Sequence, residues 1–170
     1  MEEERIPENA RRIGSRFVRR IKNEQVKSRR VLQDFAKGKP VRDGGLLAAT
    51  PAQASLRLLL AMGSLRLHTT GDMVAIFGDV TRAFPHAPVD VPIVTRLPAE
   101  CEGLVLHRGK EEVILRGGQW ILIGKALYGY RRSPRCWQQW LAERLEEVSL
   151  QGSAIDPALF DNLWHAGTRR

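Results

Sequence analysis

Two stretches of the chain repeat their apolar residues at helical spacing. The first helix is expected to take Thr50 as its cap and Pro51 at its first position, where proline's missing N–H costs nothing. Gly63 is the expected stop. The apolar face of this helix consists of Leu56, Leu59 and Leu60.

The second helical stretch begins with Ser133 as the expected cap and Pro134 as the first helical residue. Charged residues mostly occupy the side opposite its apolar face, which predicts an amphipathic helix packed on a core. That apolar face consists of Trp137, Trp140, Leu141, Leu145 and Val148.

Shorter apolar runs predict strands. Residues 26–35 alternate imperfectly between apolar and basic residues, and residues 73–77 form a continuous apolar run that ends at Gly78-Asp79. Residues 93–96 form a short extended piece between prolines. Residues 3–22 are charged and mostly tolerant of a helix. We therefore expect a buried strand to lead directly into Asp79.

A further pair of strands is expected around two glycines. Residues 112–115 and 120–123 flank Gly117-Gly118, and glycine takes the positive φ that a hairpin turn needs. The order of elements is then strand, helix, strand, hairpin and helix. This order predicts the α+β class, with a small, mainly antiparallel sheet packed by helices.

The charge of the chain is concentrated near its beginning. The formal net charge is +8 and the pI about 10.2, and residues 1–42 hold 13 Lys and Arg against 6 Asp and Glu, a net of +7. Such a balance favours a polyanionic partner such as nucleic acid. A solvated arm over residues 1–25, disordered or helical, explains the same charge equally well.

The cysteine and hydropathy patterns bear on metal sites, disulfide bonds and membrane segments. Cys101 and Cys136 form no Cys-x-x-Cys pair and the histidines do not cluster, so neither a zinc site nor a disulfide framework is indicated. No apolar run near residue 1 resembles a signal peptide, and the longest apolar stretch, residues 56–62, is too short to span a bilayer. We expect an intracellular protein, cytoplasmic or nuclear, with no membrane partner.

Asp79 is the first candidate for chemistry, because an acid fixed at the end of a strand is a good ligand for Mg²⁺. Taken alone, such a residue is more often a turn or cap. Its context resembles the copia-type LTR-retrotransposon reverse transcriptases, members of the Pol polyprotein class. Five stretches carry the resemblance in the family's order: 27–31 (KSRRV), 48–51 (AATP) with 56–61 (LRLLLA), 79–84 (DVTRAF), 125–137 (KALYGYRRSPRCW) and 156–160 (DPALF).

The resemblance implies an RNA-directed DNA polymerase, a nucleotidyltransferase that works with Mg²⁺, deoxynucleotides and a template-primer. Asp79 falls at the position of a catalytic metal ligand, with the Val80 carbonyl assisting, and Phe84 at that of a steric gate against ribonucleotides. The remaining implied contacts are to the nucleotide, by Lys27, Arg29, Tyr128 and Gly129, and to nucleic acid, by Arg131, Arg132 and Arg135.

The departures from the family decide what we expect of the chain. The family's Tyr-x-Asp-Asp motif, which supplies the other carboxylates, does not follow residues 156–160, and Gly78 and Arg132 replace an apolar residue and a Gln. We expect a partial fingers and palm domain over residues 26–160 with a tail at 161–170. We expect such a fragment to hold Mg²⁺ weakly and to be inactive alone. Two alternatives stay open: a non-catalytic basic nucleic-acid-binding remnant, and a remnant that neither folds stably nor binds.

Overall fold

The described part of the chain contains two α-helices and nine strands. The computed structural model describes residues 6–35, 46, 48–71 and 78–161. Its helices are α1 (Gln53–Thr70) and α2 (Ser133–Glu147). Its strands are β1 (Arg11–Arg12), β2 (Ser15–Lys22), β3 (Gln25–Leu32), β4 (Pro88–Arg96), β5 (Val105–Arg108), β6 (Glu111–Ile114), β7 (Trp120–Lys125), β8 (Gln151–Gly152) and β9 (Phe160–Asp161).

The strands form four small sheets. The largest has the order β1-β4-β7, in which β1 runs parallel to β4 and β4 antiparallel to β7. The other three are antiparallel pairs, β2 with β3, β5 with β6, and β8 with β9. The content of helices and small sheets agrees with the predicted α+β class, and the described strand pairs are mainly antiparallel. None of the described helices is long and apolar enough to cross a membrane.

The core lies between the three-stranded sheet and α2. Ile93 of β4 and Ile123 of β7 are cross-strand partners, so their side chains project from the same side of the sheet. Both pack in one cluster with Cys136 of α2 and with Tyr130, which is 2% exposed. Leu32 at the end of β3 joins this cluster and ties the β2–β3 pair to the sheet.

Helix α2 is confirmed across its predicted length, but its cap is not the expected one. Arg132 holds the capping position, and no side chain caps the helix. Ser133 is fully buried and donates its hydroxyl hydrogen bond to the Leu127 carbonyl at 2.6 Å. The prediction that Ser133 caps α2 is wrong, because its hydroxyl group donates to the turn before the helix and not to the helix end.

Helix α1 differs from its prediction at both ends. Ala52, not Thr50, is the capping residue, and its backbone N–H donates to Asp156 Oδ2 at 3.0 Å. The helix continues through Gly63 and ends at Gly71, where φ is +68°. One internal glycine costs a helix only about 1 kcal/mol, too little to stop it. The large apolar side chains of this helix are 49–65% exposed.

Residues 15–32 form a two-stranded ribbon, and the helical interpretation of residues 3–22 is wrong over β2. The ribbon turns at Asn23 and Glu24, whose φ values are +52° and +60°. Two consecutive positive φ angles are typical of the tight turn that matches the twist of paired strands. The strand predicted over residues 26–35 is confirmed as β3.

The predicted hairpin around Gly117-Gly118 has the right strands and the wrong partners. β6 pairs with β5, and β7 pairs with β4. The Gly118 N–H donates to the Leu97 carbonyl, and the Leu97 N–H donates to the Gln119 carbonyl. These bonds turn the chain away from β6 and onto the end of β4. The strand predicted at 73–77 lies outside the described residues.

Candidate nucleic-acid interface

The two faces of the β2–β3 ribbon differ in charge. Residues paired across the two strands share a face, and successive pairs alternate between faces. One face, called here the basic face, therefore collects five exposed cations and no acid. These cations are Arg16, Arg20, Lys22, Lys27 and Arg29.

The ribbon is joined to the sheet through the turn that follows β7. The Leu32 N–H donates to the Tyr128 carbonyl at 2.8 Å, and the Asp34 N–H donates to the Gly129 carbonyl at 3.3 Å. Gly129 has φ of +84°, and a Cβ there would collide with the Leu32 carbonyl. The close approach requires glycine, so the backbone fixes Tyr128 beside the base of the ribbon.

An aromatic and cationic cluster lies at this junction. The Arg29 guanidinium carbon lies 5.5 Å from the centre of the Tyr128 ring. The Tyr128 ring lies 5.1 Å from that of Phe84, tilted by 53°. Three residues assigned to nucleotide binding by the resemblance thus meet, although they come from separate parts of the chain. Lys27 lies on the same face of β3 as Arg29.

Two of the three arginines assigned to nucleic-acid binding make internal ion pairs. Arg131 Nε lies 3.6 Å from Asp34 Oδ2, and the same carboxylate receives Arg11 at 2.9 Å. Arg132 Nη2 lies 2.6 Å from Asp90 Oδ2. The charge of these arginines is largely balanced by carboxylates. Through these ion pairs, Arg131 and Arg132 join the turn before α2 to β1, to the end of β3 and to β4.

Arg135, the third of these arginines, is exposed on α2. It lines a shallow groove together with Ala49, Gln138 and Pro157. The Ala49 N–H donates to Gln138 Oε1 at 2.8 Å, which holds the chain before α1 against α2. Arg135 therefore remains accessible to a ligand.

Asp79 and Val80 are exposed and lie in irregular chain. The strand expected to present Asp79 falls outside the described residues. Within residues 6–35, 48–71 and 78–161, no three His, Cys, Asp or Glu side chains come together as a metal-binding group. A pair of Mg²⁺ ions needs several oxygen ligands at fixed distances. The described residues around Asp79 therefore do not fit a two-ion centre.

Sequence reasoning missed three structural carboxylates. Burial and the hydrogen bond to Asp90 Oδ1, 2.7 Å long, raise the pKa of the Tyr130 hydroxyl above its ordinary value, so it stays a donor. Asp34 bridges Arg11 and Arg131. Asp156 accepts from Ala52, which lowers the pKa of its carboxyl group. Each pairing joins distant parts of the chain, and the sequence held no local signal for it.

Sequence reasoning also missed a contact of two arginines with one indole. The guanidinium carbons of Arg12 and Arg96 lie 5.4 and 4.8 Å from the centre of the Trp120 ring. Strand register alone brings these residues together, so spacing along the chain could not reveal them.

Comparisons of the chain with protein-family models, with curated proteins and with solved structures found no match.

Proposed function

We propose that the chain is part of an RNA-directed DNA polymerase of the copia-type reverse-transcriptase class, inactive as these 170 residues alone. The observation that carries this proposal is the meeting of Arg29, Tyr128 and Phe84. The resemblance assigned all three to the nucleotide, and nothing in their sequence spacing required them to be neighbours. The fingers and palm fold is part of the same proposal.

The charge of the ribbon supports a substrate rich in phosphate. Five cations share the basic face, and Glu24 at the turn is the sole acid in residues 15–32. Lys27 and Arg29 have no acidic partner among the described residues, so a phosphate group would not have to displace one. Charged hydrogen bonds to phosphate are about twice as strong as neutral ones.

The aromatic pair supports a role in selecting the nucleotide. Phe84 and Tyr128 are half-buried, and their rings contact each other beside Arg29. In the proposed role the Phe84 ring occupies the space that a ribose 2′-hydroxyl would need, which excludes ribonucleotides. The Tyr128 carbonyl accepts a hydrogen bond from the Leu32 N–H of β3, so the backbone that carries the ring is fixed before the nucleotide arrives.

A second candidate function is nucleic-acid binding without catalysis. The observation that favours it is the basic face itself, which extends to Arg20 and Lys22, beyond the contact of Arg29 with Tyr128. Binding through this face needs no metal ion and no second carboxylate. The two functions differ in one measurable property, since only the polymerase incorporates nucleotides when the missing carboxylates are supplied.

A chain extended by a copia-type Tyr-x-Asp-Asp segment tests the proposal. We expect it to extend a primer on an RNA template, and Asp79→Asn to reduce extension at least about a hundredfold through loss of a metal ligand. Phe84→Ala should let ribonucleotides compete. The matched control is Glu146→Gln, an exposed acid on α2, which should leave the rate unchanged.

Two results would contradict the polymerase proposal. One is primer extension by residues 1–170 alone that persists in the Asp79→Asn variant. The other is an extended chain that binds template-primer tightly and incorporates nothing, which would favour the non-catalytic function.

A further inference from the structure

The three-stranded sheet has one side that α2 does not cover. Ile93 and Ile123 project toward the core and α2, so residues 94 and 96 of β4 project toward the opposite side. Arg96 pairs directly with Trp120 across β4 and β7. Arg12 of β1 pairs with Val94 and reaches the same indole.

On this side the guanidinium groups of Arg12 and Arg96 both lie over the Trp120 indole, and Val94, which projects to the same side, is fully buried. Arg12 and Arg96 are exposed residues, and Trp120 is half-buried. Leu122, the neighbour of Trp120 on this side of β7, is 49% exposed. The ion pairs of the described residues give Arg96 no carboxylate partner. A cation exposed over an aromatic ring contributes little to the stability of a fold.

The surface is distinct from the basic face of the ribbon. Trp120 begins β7, and Tyr128 follows the other end of that strand. Arg30 lies on the opposite face of the ribbon from Arg29. Its guanidinium donates to Ser15 Oγ at 3.0 Å and to the Arg96 carbonyl at 3.4 Å. Arg30 thus fixes the backbone of Arg96, and the pKa of Arg30 is lowered by burial.

We propose that Arg12, Arg96 and Trp120 form a second nucleic-acid contact that takes a single-stranded segment. The guanidinium groups bind successive phosphates, and an unpaired base stacks on the exposed part of the Trp120 and Leu122 surface. Sheets that carry aromatic and basic side chains on an open side are suited to unpaired bases. In a duplex the base faces are already stacked and cannot reach the indole. This contact does not require polymerase activity.

The test compares three probes on the full chain: a single-stranded oligothymidylate, a duplex of equal length, and heparin. Trp120→Leu should weaken oligothymidylate binding about tenfold, because stacking on an aromatic side chain contributes that much per base. Heparin elution and duplex affinity should change less than twofold. Arg12→Gln with Arg96→Gln should lower the salt slope for the oligothymidylate by about 1.4.

Matched controls separate this contact from net charge and from the ribbon. Arg57→Gln with Lys110→Gln removes the same charge from exposed positions elsewhere and should leave the slope near its original value. The Trp120→Leu effect should persist in a Lys27→Gln, Arg29→Gln background. Its disappearance there would overturn the second contact and leave the ribbon as the binding surface.

The melting transition of each variant shows whether it folds. If Trp120→Leu does not fold, Arg96→Lys keeps the charge and removes the planar group. It should then weaken oligothymidylate binding at least about threefold with unchanged heparin elution. Equal losses of affinity for all three probes would mean that this surface binds them through charge attraction alone. Either that result or oligothymidylate affinity within twofold of the original chain would overturn the inference.

Discussion

Gly129 shows how one residue controls the relation between the ribbon and the sheet. Its positive φ lets the chain turn after Tyr128, and its lack of a Cβ lets the Leu32 carbonyl approach. The same contact places Tyr128 beside Arg29. The resemblance assigned Gly129 to the nucleotide pocket, and the contact with β3 explains the glycine without a nucleotide.

Gly129→Ala is expected to destabilise the protein more than the same change at Gly103. Both glycines have positive φ, so both alanines carry a backbone strain of about 1–3 kcal/mol. The added Cβ meets the Leu32 backbone at Gly129 and nothing within 4 Å at Gly103. Urea unfolding of the two variants measures the difference. Equal free energies of unfolding would mean that the ribbon is not held at Gly129.

At the scale of elements, local sequence signals predicted where the helices lie, but they did not predict which strands pair. Pro134 and the apolar face predicted α2, because those features act within a few residues of each other, although Ser133 does not cap the helix. The predicted end of α1 was wrong, because the low helix propensity of a single glycine, Gly63, is too small an effect to end the helix. The partners of β6 and β7 depend on bonds at Leu97, more than a dozen residues from β6.

Helix α1 depends on a carboxylate more than a hundred residues away. Asp156 is 7% exposed, and it accepts from the Ala52 N–H at 3.0 Å and from the Ala158 N–H at 3.1 Å. The Ala52 bond, then those to Ser55 and Ala158, lower the pKa of the carboxyl group below its ordinary 3.8. The resemblance supplied the 156–160 stretch as a motif but gave no role for its Asp.

Asp156→Asn is expected to flatten the acid side of the stability profile. A carboxyl group whose pKa is lower in the folded state stabilises the fold above its unfolded pKa, and this contribution is lost as pH falls through the folded pKa. The urea midpoint of the original chain should fall more steeply below about pH 4 than that of the variant. Glu146→Gln is the control. An unchanged profile in Asp156→Asn would contradict the account of this cap.

At the scale of the whole molecule, the net charge of +8 is distributed by the fold rather than by sequence position. Strand pairing gathers five cations on the basic face and turns Arg19 and Arg30 to the other face. The resemblance implied site roles for Lys27, Arg29, Phe84 and Tyr128, and these roles stay predictions. The sequence could not predict how the charges are sorted between the two faces, because strand register is set by pairing. Asp79 also stays a prediction, since the strand expected before it lies outside the described residues.

Binding of a short primer-template to the 170-residue chain, titrated over a range of salt concentrations, measures directly whether the basic face contacts phosphates. Lys27→Gln with Arg29→Gln should weaken binding and lower the slope of log affinity against log salt by about 1.4 to 1.8, the loss of two phosphate contacts. Arg57→Gln with Lys110→Gln, which removes equal charge elsewhere, should leave the slope unchanged. Equal slopes for both double variants, or no retention of the original chain at low salt, would contradict the proposed interface.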